Sequence, residues 1–555
     1  MDQRAKDLIA RGDKRFSKRA QLDTLRQEIA LNFCPWNASF TTELVLGDDY
    51  ASHLVDGTPM LLARDFVGQL AAMLRPPGKQ WFWHRTALDD INNDVTARAY
   101  LDWRSRQMMR IMFDRVTGAQ RALKQADEFF GMFGDAVISV DLSHGQDSLR
   151  IRSYHVKDCV WSVGPDNKVD TISRKERISA RNMRARFKDK IHEKVEEVCK
   201  TDPDHEFEIR HEVLPAVDYD GGQLNGKFAS VWVDVTNQHI LRETSQQTFR
   251  YVVPRWVTLP QWSHGLSPAT TIALPDARLI QQQALAILEA AEKQVNPPLI
   301  AVSDAVRGDV SLESRGITWI DKSYDERTGD PVRPLEMGKN FNLGVDSLLR
   351  TQQQITRAFY LDILRMPDTR RSKSTAEVQF LIGEYIRSAL PLFAPIQPEY
   401  NEALLYEVDQ LIELAGGYSA REMPDQIKKA GIQYAWDNPL SEMQERQKAQ
   451  LAGEISQLGQ TIAALEAAAA QAPALKQIDT GKIFRESVMG LGGSNWVLSE
   501  EDAAKAAQDE QRADQMKQLM AAAPNIAKVV DSGVNAAEVA SKIQNSPGIP
   551  LMRPN

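Results

Sequence analysis

The spacing of apolar residues divides the chain into a helical beginning, a strand-rich middle and a helical second half. From residue 2 to about 32 the pattern is helical and strongly charged. Cys34-Pro35-Trp36 ends it, because the residue before a proline is pushed out of helical geometry. Leu61, Leu62, Phe66, Leu70 and Leu74 fall at helical spacing and predict a helix over Thr58–Leu74, stopped by Arg75-Pro76-Pro77-Gly78. The helical period returns over 95–133 with a weak break at Gly118. From residue 136 to about 260, the segments DAVISVDL, LRIRSYHV, CVWSV, FEIRHEVL, ASVWVDV and FRYVVPRWV predict strands. They alternate or carry β-branched and aromatic residues, with Gly, Asn and Asp between them. Residues 179–200 read as one charged helix inside this β-rich part.

Two long amphipathic stretches, PATTIALPDARLIQQQALAILEAAEKQ over 268–294 and NLGVDSLLRTQQQITRAFYLDIL over 342–364, predict long helices. Between them lies a turn-rich module that opens with Asn296-Pro297-Pro298 and holds two short strand candidates, LIAV and GITWI. Helical spacing places Ala277, Ile280, Ala284, Ile287, Ala291 and Val295 on one seam, and Val345, Leu348, Ile355 and Phe359 on the other. A chain that leaves along one helix, builds a small tip and returns along another makes a protruding hairpin. With so little core of its own, such a hairpin needs copies of itself to pack against. Further on, 374–414 is helical but interrupted by Pro391, Pro395 and Pro398. Leu451, Ile455, Leu458, Ile462, Leu465 and Ala469 then follow a 4-3-4-3-4 spacing, a heptad seam of under three repeats. The last fifty residues are an Ala- and Gln-rich helix and a Pro-containing tail expected to be partly disordered.

Composition bounds the picture. At 555 residues and 62.4 kDa the chain exceeds one ordinary core, so two to four structural regions are expected. Its 43% hydrophobic and 26% charged residues are those of a soluble globular protein. The net charge of −8 argues against a protein that coats nucleic acid tightly, which needs many uncompensated cations. Cys34, Cys159 and Cys199 have no metal-ligand spacing and fit a reducing compartment. The charged N-terminus has no secretory apolar run, and nowhere do 18 apolar residues run together.

Catalytic motifs are not evident. Residues 221–227, GGQLNGK, satisfy GxxxxGK, but Phe228 stands where a phosphate loop needs Ser or Thr. Asp220-Gly221 and Asn225-Gly226 are hairpin residues, so the segment reads as strand, turn, strand. His205 and His211 share a strand face with Phe207 and Ile209 and lack a third ligand, which favours a plain sheet face over a metal site. Asp48-Asp49 and Asp89-Asp90 read as solvated turns. No catalytic residue, metal ligand or cofactor is expected. One charge feature stands out: between Lys339 and Lys373, the seven cations Lys339, Arg350, Arg357, Arg365, Arg370, Arg371 and Lys373 face only Asp346, Asp362 and Asp368. Arg350 and Arg357, seven apart, share a helix face. Arg365–Lys373 reads either as a solvated surface loop or as a mobile basic loop that touches phosphate.

In order along the chain, several stretches resemble the portal, or head-to-tail connector, proteins of short-tailed bacteriophages. Asp56-Gly57-Thr58, Leu70–Gly78 and Trp81-Phe82 resemble one signature, and Phe133-Gly134-Asp135-Ala136 before a strand resembles another. Arg255-Trp256, Gly265-Leu266-Ser267-Pro268 and Ala273-Leu274-Pro275-Asp276 continue it, with His264-Gly265-Leu266 in place of the family's Tyr-Gly-Arg. Pro297-Pro298-Leu299, Ser374-Thr375-Ala376-Glu377-Val378 and Asn438-Pro439-Leu440 complete the series.

The resemblance implies an α+β portal fold in a ring, usually of twelve copies. Residues 1–260 would form a mixed wing, 261–296 the first stem helix, 297–338 a small β-containing clip and 339–364 the second stem helix. Residues 365–373 would be a tunnel loop, 374–441 a returning wing helix and 442–555 a helical crown and tail. It further implies a virion protein at the capsid's portal vertex, assembled in the host cytoplasm, that passes double-stranded DNA during packaging and ejection. Implied partners are the major capsid protein, a scaffold, the terminase large subunit and tail adaptor or tail proteins. Arg350, Arg357, Arg365, Arg370, Arg371 and Lys373 become channel candidates, and Ile280, Ile287, Val295, Leu348, Ile355 and Phe359 stem-packing candidates. Two other classes stay open: another oligomeric phage structural protein (tail adaptor or scaffold), and a DNA-dependent ATPase or nuclease.

Overall fold

In the computed structural model the described residues are 2–76, 78–143, 148–221, 225–295, 299–301, 332–334, 341–364, 395–436, 453, 455–461 and 464. The chain divides into two compact units, Met1–Gln444 and Glu445–Asn555. In the second, residues 455–461 are helical with Ile455 and Leu458 half-buried, while Leu451, Ile462, Leu465 and Ala469 of the heptad lie outside the described residues.

The first unit opens with α1 (Gln3–Phe33), whose N-terminus is capped by the Asp2 side chain. Next come α2 (Thr58–Leu74), β1 (Phe82–Arg85), α3 (Asp89–Asn93), α4 (Val95–Met112) and α5 (Ala119–Phe133). The weak break expected at Gly118 is a full helix boundary: Gly118 takes a left-handed φ of 72°, which separates α4 from α5.

Strands then dominate: β2 (Val137–Leu142), β3 (Leu149–Tyr154), β4 (Cys159–Val163), β5 (Val169–Ser179), β6 (Glu206–Pro215), β7 (Phe228–Asp234), β8 (His239–Gln246), β9 (Tyr251–Val252), β10 (Val257–Thr258) and β11 (Gly265–Leu266). Strands β4 to β8 form an antiparallel five-stranded sheet in chain order, and β3-β2-β9 form a second sheet. The expected strands are present. Unforeseen are β5 and β8, whose charged positions hide the alternation. Arg174-Lys175-Glu176-Arg177 looks like a solvated run, yet Arg174 is buried in the sheet. The single helix expected over 179–200 is two, α6 (Ala180–Phe187) and α7 (Glu193–Thr201), parted at Lys188 with φ 50°.

The sheet has two covered faces. On one, Ala5 and Leu8 of α1 meet Leu214, Ala229, Val231 and Val233. On the other, Met183, Phe187 and Val195 of α6 and α7 cover Phe207, Ile209 and Trp232. The main core lies beside this sheet, where the end of α1, α2, α5 and β2–β3 meet two long helices, α8 (Pro268–Val295) and α9 (Phe341–Ala358).

The strands β12 (Leu299–Ala301) and β13 (Val332–Pro334) pair antiparallel between these helices in sequence. LIAV thus contributes a strand as expected, while GITWI lies outside the described residues. A short α10 (Leu361–Leu364) follows α9. A π-helical turn at Pro398–Glu402 runs into α11 (Ala403–Leu414), then α12 (Asp425–Ala430) and β14 (Gln433–Trp436), which pairs antiparallel with β1. Trp81 stacks on Trp436 at 6.2 Å, so two segments some 350 positions apart close one side of the unit.

Candidate functional site

Helices α8 and α9 run antiparallel, and their burial falls from base to tip. Proline at the start of α8 suits a helix N-terminus, since its missing N–H would be unsatisfied there anyway. The first turn is tied to the end of α5: Ser267 Oγ donates to Gly131 O at 2.7 Å and Thr270 Oγ1 to Met132 O at 2.7 Å. Ala269, Thr270, Ala273, Leu274, Ala277 and Ile280 are buried at helical spacing. Beyond Ile280 the apolar residues of α8 that stay half-buried are Ala284, Ile287 and Ala291, positions that spacing placed on the seam. Leu285, Leu288 and Leu343 are about half or more exposed.

The other stem-packing candidates sort by height. Ile355 and Phe359 are fully buried at the base, where Phe359 meets Phe33 edge-on at 5.3 Å. Leu348 is half-buried against the core. Ile287 lies across from Gly344, where an added Cβ would sit 3.4 Å from its Cγ1, and Gln283 Nε2 donates to Ser347 Oγ at 3.0 Å. Val295, expected on the seam, is 87% exposed, because it is the last residue of α8 and has run past the facing helix.

The single helix expected over 342–364 breaks at Tyr360, which takes a left-handed φ of 54°. An aromatic residue there costs about 1–3 kcal/mol, held in place by buried Phe359 and Leu361 on either side. The break redirects the chain just before residue 365. Arg350 and Arg357 are both exposed on α9, Arg357 only loosely paired with Asp362 at 3.9 Å. Arg365, Arg370, Arg371 and Lys373 lie outside the described residues.

What fixes the hairpin base is a set of polar anchors that sequence reading missed. Gln281 on α8 accepts from Val55 N (2.7 Å) and Asp56 N (2.9 Å) and donates to Asp56 O (2.8 Å). Asp56 in turn accepts from Thr58 N at 2.7 Å, and Gln352 of α9 reaches Thr58 Oγ1 at 3.2 Å. The Asp56-Gly57-Thr58 motif is therefore a clamp on both helices. Asp135 is fully buried; it pairs with Arg26 and accepts from Gly265 N at 2.7 Å just before α8 begins. Its neighbour Gly134 has φ 79°, and a Cβ there would collide with the Leu266 and Ser267 backbone. His264 packs on Trp161 at 4.2 Å, and its burial lowers the imidazole pKa despite Asp135 nearby. A carboxylate with this many partners could have been suspected only from its place in Phe-Gly-Asp-Ala.

Two further motif residues are core ion pairs. Arg255 binds Glu399 through Nε (3.2 Å) and Nη2 (2.8 Å), and Trp256 stacks on Phe66 and Phe130. Arg75 pairs with Asp127 and donates to Asn401 Oδ1 at 2.8 Å, while Tyr400 donates to Asp127 at 2.6 Å.

The lookalike motifs resolve as structure. GGQLNGK sits in the connection between antiparallel β6 and β7, with a strand and not a helix after it. His205 is exposed, and His211 is buried with Tyr251 Oη 2.6 Å and Ser230 Oγ 2.8 Å from its ring nitrogens. Among the described residues no group of three His, Cys, Asp or Glu could hold a metal ion, and no helix is long and apolar enough to cross a membrane. Cys34 and Cys159 are buried, and burial pushes the Cys159 thiol up to about 12.

Comparison with known proteins agrees with this arrangement of motifs. The pattern of the family described as bacteriophage head to tail connecting protein matches residues 5–498. A portal protein of Salmonella phage epsilon15 is 22% identical over 536 residues, covering 93% of each chain. A probable portal protein of Bordetella phage BPP-1 is 23% identical over 375 residues; the match spans 66% of each chain. Among solved structures, a chain in the virion of a native gene transfer agent particle aligns with 77% of this chain and 94% of its own, at 9% identity and a TM-score of 0.35. The family match covers most of the chain, including the anchored hairpin: the protein belongs to the bacteriophage head-to-tail connecting protein family.

Proposed function

We propose that the chain is a portal protein that forms a ring at the capsid vertex and conducts double-stranded DNA during packaging and ejection. The observation that carries this reading is the α8–α9 hairpin, clamped at its base and, among the described residues, leaving Leu285, Leu288 and Leu343 exposed above Ile280. Each of its exposed leucines would contribute about 1.5–3 kcal/mol on burial, and neighbouring copies are the surfaces that repeat with the right spacing. In a closed ring such contacts are heterologous, one side of a copy meeting the other side of the next. Twelve copies are the expected number.

In this assignment 261–296 and 339–364 are the stem, 297–338 the clip, 365–373 the tunnel loop, and 1–260 with 374–441 the wing. Residues 442–555 are the crown and tail. The net negative charge keeps duplex DNA from adhering along the channel, while a few cations at the loops steady it, since phosphate affinity grows with the number of charges neutralised. A separate terminase large subunit supplies the ATP-driven motor; capsid, scaffold and tail proteins dock outside. The protein itself performs no chemistry in this role. The ATPase or nuclease reading loses its motif to the β6–β7 connection, and a scaffold would have little use for the sheets β2–β9.

Negative-stain imaging of the purified protein tests the proposal. Axial rings with a central hole are expected; a monodisperse monomer at micromolar concentration would overturn it.

A further inference from the structure

On the α6–α7 face of the five-stranded sheet, beside those helices, lies a basin of about 1050 Å³, walled on the far side by β2, β3 and residues around β9. Seven arginines line it against the three carboxylates Asp141, Glu176 and Glu206, a local positive excess in a chain of net charge −8. The floor is built. Arg174 is buried, with its guanidinium 4.1 Å from the Tyr154 ring, Nε donating to Tyr251 Oη at 3.1 Å and Nη1 2.8 Å from Glu176. Trp232 is stacked by His211 at 4.0 Å and approached by the Arg186 guanidinium at 3.9 Å. Burial holds His211 well below its usual pKa, and Arg174, Arg186, Arg250 and Arg242 around it push the same way.

Three observations select the ligand. First, the basin's rings Tyr154 and Trp232 are already engaged by Arg174, His211 and Arg186, which competes with the base stacking that single-stranded nucleic acid relies on. Second, two buried atoms have no hydrogen-bond partner among the described residues: Oε1 of Gln246, which needs a donor, and Nε of Arg250, which needs an acceptor. A phosphate chain offers acceptors alone, whereas a peptide offers both. Third, among the described residues β8 is the edge of its sheet, bonded only to β7, and the consecutive residues Thr244, Ser245 and Gln246 all line the basin. Consecutive strand residues point to opposite faces, so the basin reaches the free edge itself.

We propose that this basin docks an extended acidic segment of a partner protein, which adds along the free edge of β8 and places carboxylates against Arg150, Arg152, Arg242 and Arg250. Main-chain hydrogen bonds would give affinity and the arginine fork geometry would select carboxylates.

The test is fluorescence anisotropy with a labelled Glu-Thr repeat octapeptide on the full chain. A Glu-Pro repeat of equal charge, which cannot donate along an edge, and an oligothymidylate of similar charge are the comparators. The Glu-Thr peptide is expected to bind at least about tenfold tighter than either. Arg242→Gln should weaken it by about the same factor. Because Arg242 also donates to Arg186 O, the exposed pair Arg150→Glu and Arg152→Glu serves as a second variant, with circular dichroism to check folding. Tighter binding of the oligonucleotide, equal binding of the Glu-Pro peptide, no binding, or indifference of folded variants would overturn the proposal.

Discussion

Arg104 of α4 grips Asp409 of α11 with two hydrogen bonds, 3.1 Å from Nε to Oδ1 and 2.8 Å from Nη2 to Oδ2, across 305 positions of sequence. Both side chains are buried, and Tyr418 donates to the same carboxylate at 2.6 Å. Burial would push Asp409 up, yet the hydrogen bonds from His84 and Arg104 hold it at about 2. The pair ties α11 to α4. Arg104→Met would leave a buried carboxylate without its main partner and should cost about 3–5 kcal/mol in urea unfolding. The sign in pH follows: a depressed carboxyl stabilises above its unfolded value of about 4 and loses that contribution as pH falls towards 2. The variant should therefore unfold at higher pH than the parent. A cost under about 1 kcal/mol would show the pair to be dispensable.

Glu212 behaves in the opposite sense. Buried on β6, it is pushed up to about 7 by loss of solvent, despite Ser173 and Arg15 nearby, and its Oε1 has no hydrogen-bond partner among the described residues. A raised carboxyl binds its proton more tightly when folded, so stability is greatest below about 4.5 and declines as pH rises to 7. Glu212→Gln should remove that decline, gaining up to about 3 kcal/mol at pH 8 and little at pH 4. Thermal melts across pH 4–8 measure it; parallel profiles for the two proteins would refute it.

Ile287→Asp places a charge in the half-buried seam opposite Gly344. Because the base below Ile280 is packed into the core, the unit should still fold while rings fail to form. Light scattering beside circular dichroism separates the two. Normal rings would sink the stem assignment.

Arg370→Ala with Arg371→Ala should leave rings intact and impair late packaging or genome retention. Removing one cation that neutralises a phosphate should flatten the log–log salt dependence of DNA association by about one unit. If these cations instead pair with a neighbouring copy, ring stability falls first. Intact rings with normal packaged genome length would exclude a DNA-handling role.

The hydrophobic period alone located the long helices, because their seams repeat every three or four residues whatever surrounds them: α2 matches its expected bounds, and α8 extends one residue further. Turn chemistry alone disposed of the phosphate-loop lookalike. The order of short motifs pointed to the family, but not to what those motifs do. Asp56, Arg75, Asp135 and Arg255 look like ordinary surface charges in a sequence, since nothing local distinguishes a solvated arginine from one that will meet Asp127 or Glu399. Their partners Asp127, Arg26, Glu399 and Gln281 lie 52 to 225 positions away, and only packing brings them together. The same holds for β5 and β8. Their charged residues defeat an alternation rule, and the sheet accepts them because Arg174 finds rings and a carboxylate across neighbouring strands. Local periodicity is a property of a segment and can be read from it; the pairing of buried charges belongs to the tertiary structure, because burial itself creates the need for a partner.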